Sequence, residues 1–145
     1  MSVQNHPETT AALEGSRTVT DRLGTAGALL GAAFIMAVGC GYLLAPDSMA
    51  PNFGLPDWPR GEATGFLNIK GVRDIVTGLI VFALIAARQR RAAGIALVTI
   101  ALMPTGDMLT ILLRHGSTAT AIGVHGLTAA FVCATAALLL RGEKR

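Results

Sequence analysis

Residues 66–79 read FLNIKGVRDIVTGL and run on into IVFALIAA. The stretch is apolar, yet Asn68, Lys70, Arg73 and Asp74 lie close together inside it. Whether it crosses a membrane decides the fold. Its clean apolar part runs only from Ile75 to Ala87, and a helical crossing needs about 20 residues. It reaches that length only if Asn68 to Asp74 is included, so the charges are expected at membrane depth.

The composition supports a membrane setting. Of 145 residues, 52% are hydrophobic and 14% charged, and the mean hydropathy is +0.55. A soluble domain carries about 25% charged residues to coat its surface. The net charge of +3 is small and scattered. No basic patch interleaved with aromatics is present, so nucleic acid is not an expected partner. The lipid bilayer is.

Three further segments have crossing length, giving spans at about 23–45, 64–87, 92–113 and 119–140. The expected fold is therefore all-α, an integral membrane four-helix bundle over 23–140. Leu23–Ala45 is too long for a signal peptide core, and a polar segment precedes it. That segment, residues 1–22, reads as a disordered polar tail with a short interfacial helix near its end. Residues 141–145 form a basic C-terminal tail. Arg17, Arg22, Arg88, Arg90, Arg91, Arg141, Lys144 and Arg145 fall on one side, against Arg60 and Arg114 on the other. The positive-inside rule then puts both termini in the cytoplasm of a multi-pass plasma (inner) membrane protein. The Pro- and Gly-rich stretch 46–63 becomes the outer loop, with Trp58 as an interfacial anchor or lid.

Depth brings the ionisable residues together. At 1.5 Å per residue, Lys70 lies about 9 Å and Asp74 about 15 Å below the outer end of the second span. Asp107 on the third span and His125 on the fourth also lie about 9 Å down. Lys70, Arg73, Asp74 and Thr77 form one helical stripe, with Phe66 extending it outward. Met103, Asp107, Thr110 and Arg114 form a second, and His125, Thr128 and Val132 a third. A charge facing lipid costs a few kcal/mol, so these stripes are expected to face the interior. Lys70 and Arg73 can neutralise Asp74 and Asp107. Pro104 cannot donate to the carbonyl of Ile100, so the third span should kink beside Asp107.

Small residues should let the spans pack closely, at Gly27 and Gly31 on the first and Gly123 and Gly126 on the fourth. Cys40 and Cys133 have no metal spacing and read as buried small residues. No metal site is expected, because Lys70 and Arg73 would repel a cation, and no cofactor is implied. Ser48 and Ser117 lie in loops without a nucleophile-elbow pattern, which excludes triad hydrolysis.

NIKGVRD, then MPTGD, then GVHG in the last span resemble a family of small four-span membrane proteins known as a domain of unknown function. The outline is also similar to DoxX-like membrane proteins. The resemblance implies four helices and a polar site built from these motifs, and no particular reaction.

The favoured function is binding of a small lipophilic molecule, with acid–base chemistry such as isomerisation or cyclisation performed on it. Asp74, Asp107 and His125 are the candidate acids and bases. Asn68, Lys70 and Arg73 are the candidate ligand-binding groups. Two other readings stand beside it. One is a structural subunit whose charges form a salt-bridge network, as a homodimer or with a partner membrane protein. The other is a small proton-coupled transporter.

Overall fold

The computed structural model describes residues 7–141, with side chains described from residue 19. Among these residues every regular element is helical. Helix α1 runs Pro7–Leu44. A short α2 (Pro46–Met49) and a 3₁₀ turn (Ala50–Phe53) open a loop that closes with a second 3₁₀ turn, Gly61–Thr64. Then come α3 (Gly65–Ala86), α4 (Arg90–Ile100) and α5 (Leu102–Leu113). The last stretch is α6 (Thr118–Thr120), a π-helical segment (Ala121–Gly126) and α7 (Leu127–Arg141).

Among the described residues, three helical stretches are long and apolar enough to cross a membrane: Val19–Leu44, Arg90–Leu113 and Thr118–Arg141. At 22 residues, α3 has the length but also holds Lys70, Arg73 and Asp74, and is not among them. Large apolar side chains stand exposed along the helices, including Leu30, Phe34, Ile69, Ile95, Leu102 and Leu127. Such a surface suits hydrocarbon rather than water.

The structure departs from the sequence expectation at the N-terminus. Residues 7–22, read as disordered tail, are helical and continuous with the apolar part of α1. Extending an existing helix avoids the nucleation cost, and the TAALE run is helix-favouring. Residues 1–6 and 142–145, the rest of the two tails, lie outside the described residues.

Packing is tightest between α1 and α3. A Cβ on Gly39 would lie 2.6 Å from the carbonyl oxygen of Gly71, and one on Gly71 would lie 2.7 Å from that of Gly39. The two backbones touch, which only paired glycines permit. Gly27 and Gly31 of α1 face Thr135 and Phe131 of α7, so this small-residue pair serves an intramolecular contact. The core comprises Ala28, Ala32, Val81, Ala93, Leu97, Ala136 and Leu139. Its many alanines let the helix axes approach closely.

The third stretch is interrupted at Ala101, three residues before Pro104. The Ala101 carbonyl accepts from both the hydroxyl and the amide of Thr105, at 2.8 and 3.3 Å, while Pro104 offers no donor to Ile100. Cys40 and Cys133, expected to be buried, are both exposed free thiols. A small polarizable side chain is compatible with an apolar surface, so neither needs the core.

Candidate functional site

The polar groups of interest gather at the end of the molecule that carries the 46–64 loop. Lys70 Nζ and Asp74 Oδ2 are 2.5 Å apart, one helical turn apart on α3, with side chains 21% and 11% exposed. Burial makes this pair strong in position but costly to break. The Lys70 ammonium also lies over two rings, 4.6 Å from the centroid of Tyr42 and 5.6 Å from that of Phe53. Both distances fall within cation–π range.

The second pair joins two other helices. His125 Nδ1 is 3.7 Å from Asp107 Oδ2. His125 Nε2 donates to the carbonyl oxygen of Phe53 at 3.1 Å. The Phe53 ring meets the imidazole edge-on, with centroids 4.8 Å apart. Phe53 therefore touches both pairs. A loop residue, and not Trp58, covers this part of the site; Trp58 instead stacks under Arg60 at 4.9 Å.

Several devices hold the loop down. Gly54 adopts the left-handed region, with φ +100°. Its carbonyl accepts from the Ser117 amide at 2.8 Å, and a Cβ there would lie 2.8 Å from Thr120 Cγ2. Glycine is required both for the turn and for the approach. At the start of the loop, Asn68 Nδ2 donates to the carbonyls of Tyr42 and Leu43 at 3.0 and 3.4 Å. Helix ends leave their last carbonyls unpaired, and Asn68 supplies the missing donor for α1.

These contacts revise three expectations. Asn68, read as ligand-binding, is committed to the backbone. Arg73 is exposed and makes no ion pair among the described residues; His125, not Arg73, partners Asp107. A stripe at i, i+3 and i+4 is wide, and Arg73 falls on its outer edge. Met103, Thr110 and Arg114 are also exposed, and only Asp107 of that stripe is half-buried. On α5 the buried position is Ile111.

Two site residues had little or no sequence signal. Phe53 sits in an irregular loop, where periodicity gives no orientation. Tyr42 is 3% exposed, and within the apolar first span its position carries no signal of the polar groups it faces. The π-helical turn Ala121–Gly126 was also hidden. A π turn inserts an extra residue and re-aims the side chains around it, and such turns often mark functional sites. Here it carries His125.

One helical turn further along the bundle lies a cavity of about 550 Å³, and none of these ionisable groups lines it. Its walls include Thr77, Pro104 and Thr128, which stand three residues along the chain from Asp74, Asp107 and His125 respectively. The remaining lining is almost wholly apolar and comes largely from α1 and α7. Cavities of this size hold small organic ligands.

A family model described as "Domain of unknown function (DUF4267)" matches residues 32–139. No curated protein and no solved structure gives a significant match.

Proposed function

The chain belongs to the DUF4267 family, and from that premise we propose that it binds a small lipophilic molecule within the membrane. We read it as a four-span helical bundle of the plasma membrane with both termini cytoplasmic, the loop end facing outward. The observation that carries the binding reading is the apolar cavity with Thr77, Pro104 and Thr128 in its wall. Each stands about one helical turn from an ionisable group. A ligand body in the cavity would present its polar end to those groups.

The same groups suit acid–base work on the ligand. A carbonyl oxygen only accepts, so His125 Nε2 carries a hydrogen toward Phe53. Nδ1 then faces the Asp107 carboxyl, and a proton held between them makes that contact favourable. This is the proton the pair would exchange with a substrate. Lys70, held by Asp74, would stabilise negative charge forming on a substrate oxygen in a water-poor site.

The test is native mass spectrometry and lipid extraction of protein purified from its own membrane. Wild type should carry a small lipophile. Gly31→Leu should fold and lose it, because even a Cβ at Gly31 approaches Phe131 Cε1 to 3.2 Å and the side chain would fill the cavity. A ligand retained by a folded Gly31→Leu protein would overturn the reading.

A scaffold function is favoured by one observation. Lys70 and Asp74 are paired at 2.5 Å and Asn68 is occupied by backbone, as a network fixing helix positions would require. Under that reading His125→Ala destabilises the fold and no ligand is found in wild type.

A further inference from the structure

The cavity is a slot with direction. Along α1 its lining extends from Gly27 to Ile35, and along α7 from Leu127 to Thr135. Each wall covers eight residues of rise, or about 12 Å. Its rim residues Leu30, Phe34, Leu127 and Phe131 are 68, 56, 66 and 44% exposed. These apolar side chains therefore carry the edge of the cavity to the surface that hydrocarbon would cover. Across the cavity, Gly27 and Gly31 lie so close to Thr135 and Phe131 that added Cβ atoms would sit 2.9 and 3.2 Å from them.

The hydroxyls of the slot are not equivalent. Thr77 donates to the Arg73 carbonyl and Thr128 to the Val124 carbonyl, both at 2.7 Å. Their hydrogens are used within their own helices, which leaves them as acceptors. Thr135 differs. It is 4% exposed, and among the described residues its hydroxyl has no hydrogen-bond partner. Yet no side-chain oxygen there is both sealed from solvent and unpaired, so this hydroxyl opens onto the cavity it lines. Buried hydroxyls are normally satisfied, and this one can be satisfied only from within the cavity. Thr135 lies two helical turns from Thr128, at the far end of the slot from His125.

We propose that the slot takes a medium-length lipophilic molecule with oxygen functions at both ends. One end pairs with the Thr135 hydroxyl. The other meets the acceptor hydroxyls of Thr77 and Thr128 and the acid–base groups beyond them. The inference rests on the lipophile-binding reading and adds the length and the second polar end. About ten carbons span the distance, given the about 12 Å set by helical rise.

The experiment uses full-length protein in nanodiscs, with deuterated α,ω-decanediol and primary decanol as probes and empty nanodiscs as control. Wild type should bind the diol more tightly than the alcohol. Thr135→Val should bind the diol about fivefold more weakly, the effect of one net hydrogen bond, and leave decanol unchanged. Thr135→Ser keeps the hydroxyl and should keep the diol preference. An unchanged diol-to-decanol ratio in Thr135→Val, or its loss in a folded Thr135→Ser, overturns this inference. If Gly31→Leu abolishes both probes while Thr135→Val alters neither, only the second polar end is refuted. If folded Gly31→Leu still binds both, the cavity reading itself fails.

Discussion

Phe53 and His125 are joined twice, once through the Phe53 carbonyl at 3.1 Å and once through the rings at 4.8 Å. The loop is thereby fastened to the π-helical turn, and Phe53 also reaches the Lys70 ammonium. Removing the ring should loosen the closure without removing the backbone bond. We expect Phe53→Ala to lower stability by about 1–2 kcal/mol, less than a fully buried phenylalanine, because the ring is half-buried. Amide exchange over 50–57 should accelerate. Unchanged exchange in that segment would show that the ring does not hold the loop.

The two cations of α3 should behave differently. Lys70→Met leaves the Asp74 carboxylate buried without a partner, at a cost of about 3 kcal/mol. The double change Lys70→Met with Asp74→Leu should recover most of it. Arg73→Gln, at an exposed position, should stay within about 0.5 kcal/mol. Thermal unfolding of the purified variants checks all three. Equal losses for Lys70→Met and Arg73→Gln would contradict the pairing described.

Glycines offer a matched contrast. Gly71→Ala would drive a methyl to 2.7 Å from the Gly39 carbonyl, and two helix backbones would have to separate. We expect a loss of folded yield. Gly106 has nothing within 4 Å of an added Cβ. Gly106→Ala should be neutral or stabilise by up to about 1 kcal/mol through helix propensity. Yield and melting temperature in detergent give the comparison, and a tolerated Gly71→Ala would argue against the backbone contact.

His115 ends α5 at φ +57°, in the left-handed region. The Gly116 amide there returns to the Ile111 carbonyl at 2.8 Å, the bonding of a helix C-terminal cap. A residue with a Cβ is disfavoured in that conformation by about 1 kcal/mol. His115→Gly should therefore raise stability by about 0.5 kcal/mol, allowing for the freer unfolded chain. A lower melting temperature would mean that the imidazole makes a compensating contact.

The three long apolar helices were legible in the sequence because apolar length is a direct signal; α3 has the length, but its charges keep it out of that set. Counting depth from the helix ends puts Asp107 and His125 at one level, but Lys70 and Arg73 were the expected partners of the carboxylates, and His125 stands beside Asp107 instead. What failed was finer. Stripe arithmetic could not tell Lys70 from Arg73, since both lie on the same broad face and packing alone decides which turns inward. Phe53 lies beyond the end of α1 in an irregular loop, where periodicity gives no orientation for the ring. AIGVHG contains nothing that distinguishes a π turn from an α turn; the extra residue is accommodated by tertiary contacts around it. The N-terminal segment was misjudged because its polarity was weighed above its helix-forming residues.

The bond from His125 to the loop ends on a main-chain oxygen, a group that every amino acid carries. The two partners are therefore under unequal chemical obligation. At position 125 a ring nitrogen is required, whereas at position 53 any residue that follows the same backbone path would serve the hydrogen bond. What the loop must preserve is a trajectory, written in its turns and in the left-handed glycine that follows, more than a side chain. Grafting the site into another scaffold would therefore mean copying the path of the loop, not merely its letters.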